Sequence, residues 1–247
     1  MSMRYKGGVL SATAPTTSSS SAQGMWTVRQ QLQAVGGTGW PNALPPTTIG
    51  QAYGGGFYAG KISTTSNGVA THYLIVAPKS SESSGRTWGV YGVTTGQTSV
   101  IDGPTNTTVE AALGASYQAA VFCNNLNAGA GLNTYTDWYL PAKNELEVLY
   151  YNLKPTTDAN NTSSGSNANA VSPEPISTNY TSGSPAQTSA GIGFRTGETN
   201  AFASDNYWSS TEQAGTTAWR QSLPYGYQGS DSKTANYYVR AVRRIAV

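Results

Sequence analysis

The chain has 247 residues, a length that suits one large domain or one domain with an arm and excludes a multidomain array. Only 11% of its residues are charged while Gly numbers 28 and Tyr 16, so the surface is built from hydroxyls, amides and aromatic rings, a make-up common in extracellular and virion β-rich proteins. A net charge of +2 is too small for phosphate binding, which needs clustered Lys and Arg, and no stretch approaches the ~18 apolar residues of a membrane span.

Residues 1 to about 24 run through Ala-Thr-Ala-Pro-Thr-Thr into four serines, Ser18 to Ser21. Such a stretch buries too little apolar area to offset its own ordering entropy. Tyr5, Val9 and Leu10 nonetheless give it anchors, and Trp26 and Leu32 follow where a short helix or strand could dock. A docking arm and a plain linker both satisfy this pattern. Arg4 and Lys6 precede no apolar run, so the segment does not read as a signal peptide. Gly36-Gly37-Thr38-Gly39-Trp40-Pro41 and Leu44-Pro45-Pro46 then break helix and strand alike. The chain divides into an arm over 1–34, a linker over 35–50 and a domain over 51–247.

The clearest local signal follows. Phe57 to Thr65 and Val69 to Ala77 flank Asn67-Gly68, a pair that favours the positive φ values of a type I′ hairpin turn. Both faces of the second strand are largely apolar, which predicts a place inside a sheet. His72, the only histidine, has no His, Cys or carboxylate at ligand spacing and reads as a hydrogen-bonded structural residue. After a loop with an irregular strand near Thr87 to Tyr91, a helix is predicted from Thr107 or Thr108 to about Leu126. It has a hydroxyl N-cap, Glu110 in its first turn, and Gly129 or Gly131 beyond its end. Cys123, the only cysteine, sits in this helix as a small buried hydrophobe, and no intrachain disulfide can form.

The segment Asp137-Trp138-Tyr139-Leu140-Pro141 leads into a second helix from about Ala142 to Leu153. Its Leu146, Leu149, Tyr150 and Leu153 recur at offsets of three, four and seven, which gives one buried face. From Lys154 to about Thr199 the chain is rich in Ser, Thr, Asn, Gly and Pro. A loop of this length inside a domain is functional or disordered. Asn161, Asn167, Tyr180 and Phe194 are the candidate ligand contacts, amides for sugar hydroxyls and rings for sugar faces. A variable excursion or a protomer contact is the alternative. Strand-like runs close the chain at Tyr207 to Glu212, Ala218 to Arg220 and Tyr237 to Arg244. Arg240, Arg243 and Arg244 in the last of these read as rim charges and salt-bridge partners at a sheet edge rather than as a nucleic-acid patch.

The succession DWYLPAKNELEVLY, YWSSTE, AWRQSL and YYVRAVRR resembles the C-terminal domain of the Legionella collagen-like adhesin family, a C-type-lectin-like module. The start, RYKGGVLSATAPTTSSSSAQGMWTVRQQLQA, is similar to N-terminal segments of phage virion fibre proteins. The resemblance implies an α+β C-type-lectin-like domain, a twisted antiparallel sheet with two helices, behind an extended N-terminal arm. Its motif residues are Trp138, Leu140, Pro141, Glu145, Leu146, Trp208, Trp219 and Arg240. Tyr5, Val9, Leu10, Trp26 and Leu32 would attach the chain to other virion proteins. The domain would bind a host-surface glycan or protein as a homotrimer on the phage particle, as a tail or capsid fibre, or act as an adaptor between virion proteins. No cofactor, nucleic acid or membrane insertion is implied.

Calcium-binding lectins of this kind carry Glu-Pro-Asn and Trp-Asn-Asp, because the ion needs several hard oxygen ligands at once. Here Glu174-Pro175-Ile176 and Trp208-Ser209-Ser210 stand instead, so calcium does not carry over with the resemblance and no metal ligand is assigned. A single cysteine cannot supply the pair used by related sulfatase-activating enzymes. Glycoside hydrolysis needs two carboxylates about a scissile bond, and no spacing singles out a pair: Glu145 and Glu147 leave different faces of a helix and Glu212 is isolated. No catalytic residue is assigned. The large aromatics Trp138, Tyr139, Trp208 and Trp219 read as core rather than as a stacking platform.

Overall fold

A computed structural model describes residues 17–18, 21–22 and 45–247. The strands β1 (Thr17–Ser18) and β2 (Ser21–Ala22) pair antiparallel within a unit separate from residues 47–247. Tyr5, Val9, Leu10, Trp26 and Leu32 lie outside the described residues.

The expected hairpin forms from β4 (Gly56–Ile62) and β5 (His72–Val76), with Phe57 opposite Val76 and Ile62 opposite His72. The short β3 (Ala52–Tyr53) adds to β4. Its turn differs from the predicted one. The connection runs from Ser63 to Thr71, with positive φ at Ser66 and Gly68 rather than at Asn67 and Gly68. Tertiary contacts open it: Asn169 donates to the Ser63 carbonyl and the Ser66 hydroxyl, and Asn67 Oδ1 accepts from Ser63 Oγ. β5 is an interior strand, with Tyr73 to Val76 buried, as two apolar faces require. His72 is partly buried, its Nδ1 2.9 Å from Thr71 Oγ1, and burial with the nearby Arg244 charge lowers its pKa.

The single helix expected from residue 107 is two. α1 (Gly103–Ala112) begins earlier, where Asp102 accepts from the Thr105 N–H and Pro104 occupies the first turn. Glu110 is therefore not in the first turn but buried near the helix end. Gly114, at φ +104°, breaks the helix, and α2 (Gln118–Asn125) restarts after Tyr117. The break lets the Tyr117 ring pack edge-on against Trp88, over Gly89, where a Cβ would stand 2.7 Å from that ring. Cys123 is fully buried, and burial pushes its thiol pKa up. α3 (Lys143–Leu153) matches the predicted second helix. Its N-terminal donors are satisfied from three directions: Ala142 N–H by Glu145, Lys143 N–H by Thr211 Oγ1 and Asn144 N–H by the Val100 carbonyl. Ala142 has no side-chain oxygen, so only the carboxylate half of a capping box is present.

Within residues 47–247 two sheets and three α-helices make a mixed α/β architecture, where one antiparallel sheet and two helices were expected. One sheet has the order β6 (Glu82–Arg86), β10 (Tyr237–Arg240), β7 (Asn206–Glu212), β8 (Thr217–Ser222), β9 (Gln228–Ser232), with β10 and β7 parallel. The other runs β11 (Val242–Ala246), β5, β4, β3. The predicted closing strand is therefore split at Ala241, with β10 in one sheet and β11 in the other. Arg240, Arg243 and Arg244 are salt-bridge partners, and Arg243 and Arg244 lie on the edge strand β11, but Arg240 and Arg243 are buried and Arg244 half-buried rather than exposed as rim charges. Arg240 is buried between Phe194 and Phe202 and donates to the Ala77 and Asn200 carbonyls, with Glu82 3.6 Å away. Arg243 grips Asp137 with two nitrogens, and Arg244 Nε meets Glu145 at 2.7 Å. Burial draws the Arg240 pKa down to about 10, against the pull of Glu82.

Candidate ligand-binding face

The span between α3 and β7 contains no helix or strand, yet side-chain amides fix it to α3. Asn160 is the main anchor. Its Nδ2 donates to the carbonyls of Thr181, Ser182 and Pro185, while Oδ1 accepts from Tyr150 Oη at 2.6 Å and Lys154 Nζ at 2.7 Å. Asn169 ties the same span to Asn144 and to the β4–β5 connection. A third anchor lies deeper. Asn167 Nδ2 reaches the Asn144 carbonyl, Glu147 Oε2 at 2.6 Å and Glu174 Oε1 at 3.2 Å, and Tyr180 Oη donates to Glu147 Oε1 at 2.5 Å.

The β8–β9 turn closes against this excursion. Gly226, at φ +71°, lies where a Cβ would fall 2.2 Å from the Tyr150 ring. The Tyr225 carbonyl accepts from the Asn161 N–H, and the Pro224 carbonyl from Thr156 Oγ1. Tyr225 is left 52% exposed and Tyr227 40% exposed. Gln228 continues the face: its backbone N–H donates to Ser164 Oγ and its side chain reaches the Lys143 carbonyl and Gln221. The Lys143 ammonium lies 4.1 Å from the centre of the half-buried Trp219 ring. Burial lowers the Lys143 pKa, with Glu147 pulling the other way. Asn161, Tyr225, Gln228, Lys143 and Trp219 thus form a connected run of amide, phenol, ammonium and indole.

Of the sequence-derived contacts, Asn161 alone lies at this surface, its Oδ1 accepting from the Ser163 N–H and hydroxyl. Asn167, Tyr180 and Phe194 are buried, and they support the excursion from beneath. Trp138, Leu140, Pro141, Glu145, Leu146, Trp208 and Arg240 are buried as well, while Trp219 stands at the face. Glu145 accepts from Tyr139 Oη, Arg244 Nε and the Ala142 N–H; burial still pushes its pKa up. Tyr225, Tyr227, Gln228 and Lys143 were not singled out by the sequence reading. The signal available for the tyrosines is Pro224-Tyr225-Gly226-Tyr227, aromatics alternating with turn residues between two strand-like runs.

The fold does bring two carboxyls together. The Glu147 and Glu174 carboxyls lie together and share Asn167, whose Nδ2 donates to both. Burial raises both pKa values, and the Glu147 charge raises Glu174 further. Both are buried side by side, whereas glycoside hydrolysis places its carboxylates roughly 5–9.5 Å apart about the substrate. Their geometry suits a structural clasp.

Comparison with known families adds one decisive match. The Lcl C-terminal domain family matches residues 86–243, well over half of the chain. The chain belongs to this family. No curated protein matches it. The Lcl C-terminal match begins at Arg86, the last residue of β6, and ends at Arg243, within β11. The β4–β5 hairpin precedes the matched span, yet it supplies β5, the strand with which β11 pairs. The candidate face, from Lys143 to Gln228, falls wholly inside it.

Proposed function

We propose that this protein is a phage virion fibre subunit that binds the host cell surface, as a homotrimer, through its Lcl-type domain. The domain is of the C-type-lectin-like kind, and residues 1–34 attach it to other virion proteins. The observation that carries this reading is the run of Asn161, Tyr225, Gln228, Lys143 and Trp219: one exposed and one half-buried aromatic ring set among amides, on a face held by buried hydrogen bonds. Aromatic faces pack on the apolar face of a pyranose while neighbouring amides pair with its hydroxyls. The ligand is a surface polysaccharide, bound without chemistry.

The test is adsorption of the purified, fluorescently labelled full chain to candidate host cells, with extracted surface polysaccharide as competitor. Saturable binding that falls at least about tenfold in Tyr225→Ala or Trp219→Ala, the loss expected for one stacking ring, supports the reading. Saturable binding untouched by either substitution moves the site elsewhere, and absence of binding by the folded oligomer rejects recognition. A second reading draws on a different surface. Val90, Tyr91 and Val93 are 39%, 61% and 44% exposed on one loop, and such an apolar set suits contact with a neighbouring virion protein, the adaptor role.

A further inference from the structure

We propose that Asn67 is a site of spontaneous covalent modification, passing through a cyclic imide with Gly68 to isoaspartate and aspartate. Asn67-Gly68 is the one Asn-Gly pair in the chain. Asn67 is exposed on the Ser63–Thr71 connection, and Gly68 presents no Cβ to obstruct approach of its nitrogen to the Asn67 side chain. Three features favour the reaction over simple exposure of an amide. Asn67 Oδ1 accepts from Ser63 Oγ at 3.0 Å and from the Val69 N–H at 3.0 Å, so the carbonyl is polarised by two donors placed where an oxyanion would form. Among the described residues the Gly68 N–H has no acceptor, so no hydrogen bond holds the nucleophilic nitrogen. Likewise Asn67 Nδ2 has no partner among them and is free to leave.

The step balances with water alone. The Gly68 nitrogen, losing its proton to solvent, attacks Asn67 Cγ. The Cγ–Nδ2 bond breaks, and the amide departs as ammonia after taking a proton back. Water then opens the ring at either carbonyl. Opening at Cγ returns the main chain with an Asp side chain; opening at the α-carbonyl routes the main chain through the side chain and adds a methylene to it. In both products a neutral amide becomes a carboxylate.

The position gives the change a consequence. A Cβ on Gly68 would stand 3.0 Å from Ile176 Cδ1, so this tip lies against the excursion whose other end carries the candidate face. A lengthened main chain at Asn67 also disturbs the Ser63 and Ser66 bonds to Asn169.

The test is incubation of the folded full chain at mildly alkaline pH, followed by tryptic mapping and isoaspartate detection. The peptide from Ile62 to Lys79 holds Asn67 and no other Asn or Gln, so its conversion is read without ambiguity. Asn179, exposed and followed by Tyr180, is the internal comparator. We expect Asn67 to convert on the order of tenfold faster than Asn179, the effect of roughly one hydrogen bond on the barrier. Ser63→Ala should slow it by about threefold to tenfold through loss of one polarising donor, with Gly68→Ala slower still. Conversion of Asn67 no faster than Asn179 overturns the proposal. So does acceleration confined to denatured protein, which would show that the folded connection protects the amide. A Ser63→Ala rate equal to wild type would remove the assigned role of the two donors.

Discussion

Glu147 and Glu174 meet in a space too dry for two charges, and the surrounding donors decide which one keeps its proton. Tyr180 and Asn167 both donate to Glu147, whereas Glu174 receives only the longer Asn167 contact. Glu174 is therefore the one of the pair that keeps its proton. A carboxyl whose folded pKa is raised contributes stability that is fully present below its unfolded pKa and is lost as pH rises through the folded value. Glu174→Gln removes the proton that alkali takes. The unfolding free energy of the variant, relative to wild type, should therefore rise with pH above the ordinary carboxylate range, with a slope of at most about 1.4 kcal/mol per pH unit for one proton. Denaturant titrations across that range check it, and a flat or falling difference would show that Glu174 is already ionised. Glu110 obeys the same sign. It is fully buried with no hydrogen-bond partner on either oxygen among the described residues, and burial with the Glu212 charge holds its pKa well above normal, Lys233 opposing.

At the scale of elements, the excursion after α3 is ordered by side-chain amides in place of a backbone ladder. Asn160 carries the most of this burden, since its truncation strips Tyr150 Oη and Lys154 Nζ of an acceptor while freeing the three carbonyls of Thr181, Ser182 and Pro185. A buried group left unsatisfied costs about 1–3 kcal/mol, more when charged. Asn160→Ala should lower the unfolding free energy by about 3 kcal/mol on that basis and should raise hydrogen exchange in 157–187. Asn160→Asp, which keeps the acceptor oxygen and loses the two N–H donors shared among the three carbonyls, should fall between. A loss below about 1 kcal/mol would mean that the excursion is held by packing alone. This mode of ordering also explains what the sequence could convey. α3 was legible because its apolar residues repeat at helical offsets, and the β4–β5 hairpin because two apolar runs flank a turn. The helix break at Gly114 was not, since Tyr117 is drawn into the core by Trp88, a distant residue. Nor was the hairpin connection, which Asn169 pulls open across a long separation in sequence. The candidate face was half legible. A polar, aromatic excursion was evident, but which rings face outward depends on the Gly226 contact with Tyr150, and Tyr180 turned inward to serve Glu147.

For residues 47–247 as a whole, the consequential feature is the chain's passage from β10 to β11. β10 sits between β6 and β7 in one sheet, and after Ala241 the same strand direction carries β11 alongside β5 in the other. Neither sheet can lose its closing strand without pulling on its neighbour. Arg240 reinforces the passage, joining β10 to Ala77 just past β5, to Asn200 in the excursion and to Glu82 in β6. Cooperative unfolding follows from this connectivity. Of the six tryptophans, Trp88, Trp138 and Trp208 lie in one buried cluster whose exposure changes the indole fluorescence, while far-ultraviolet dichroism reports on the helices. The two probes should trace one coincident transition for this unit. Arg240→Met keeps the contacts with Phe194 and Phe202 but leaves the Glu82 carboxylate with Lys79 as its one cation among the described residues, and breaking a buried pair costs about 3 kcal/mol or more. The variant should move both curves to lower denaturant together, without separating them. Separation of the curves, in wild type or variant, would show that the two sheets unfold independently and that the β10–β11 passage couples them weakly.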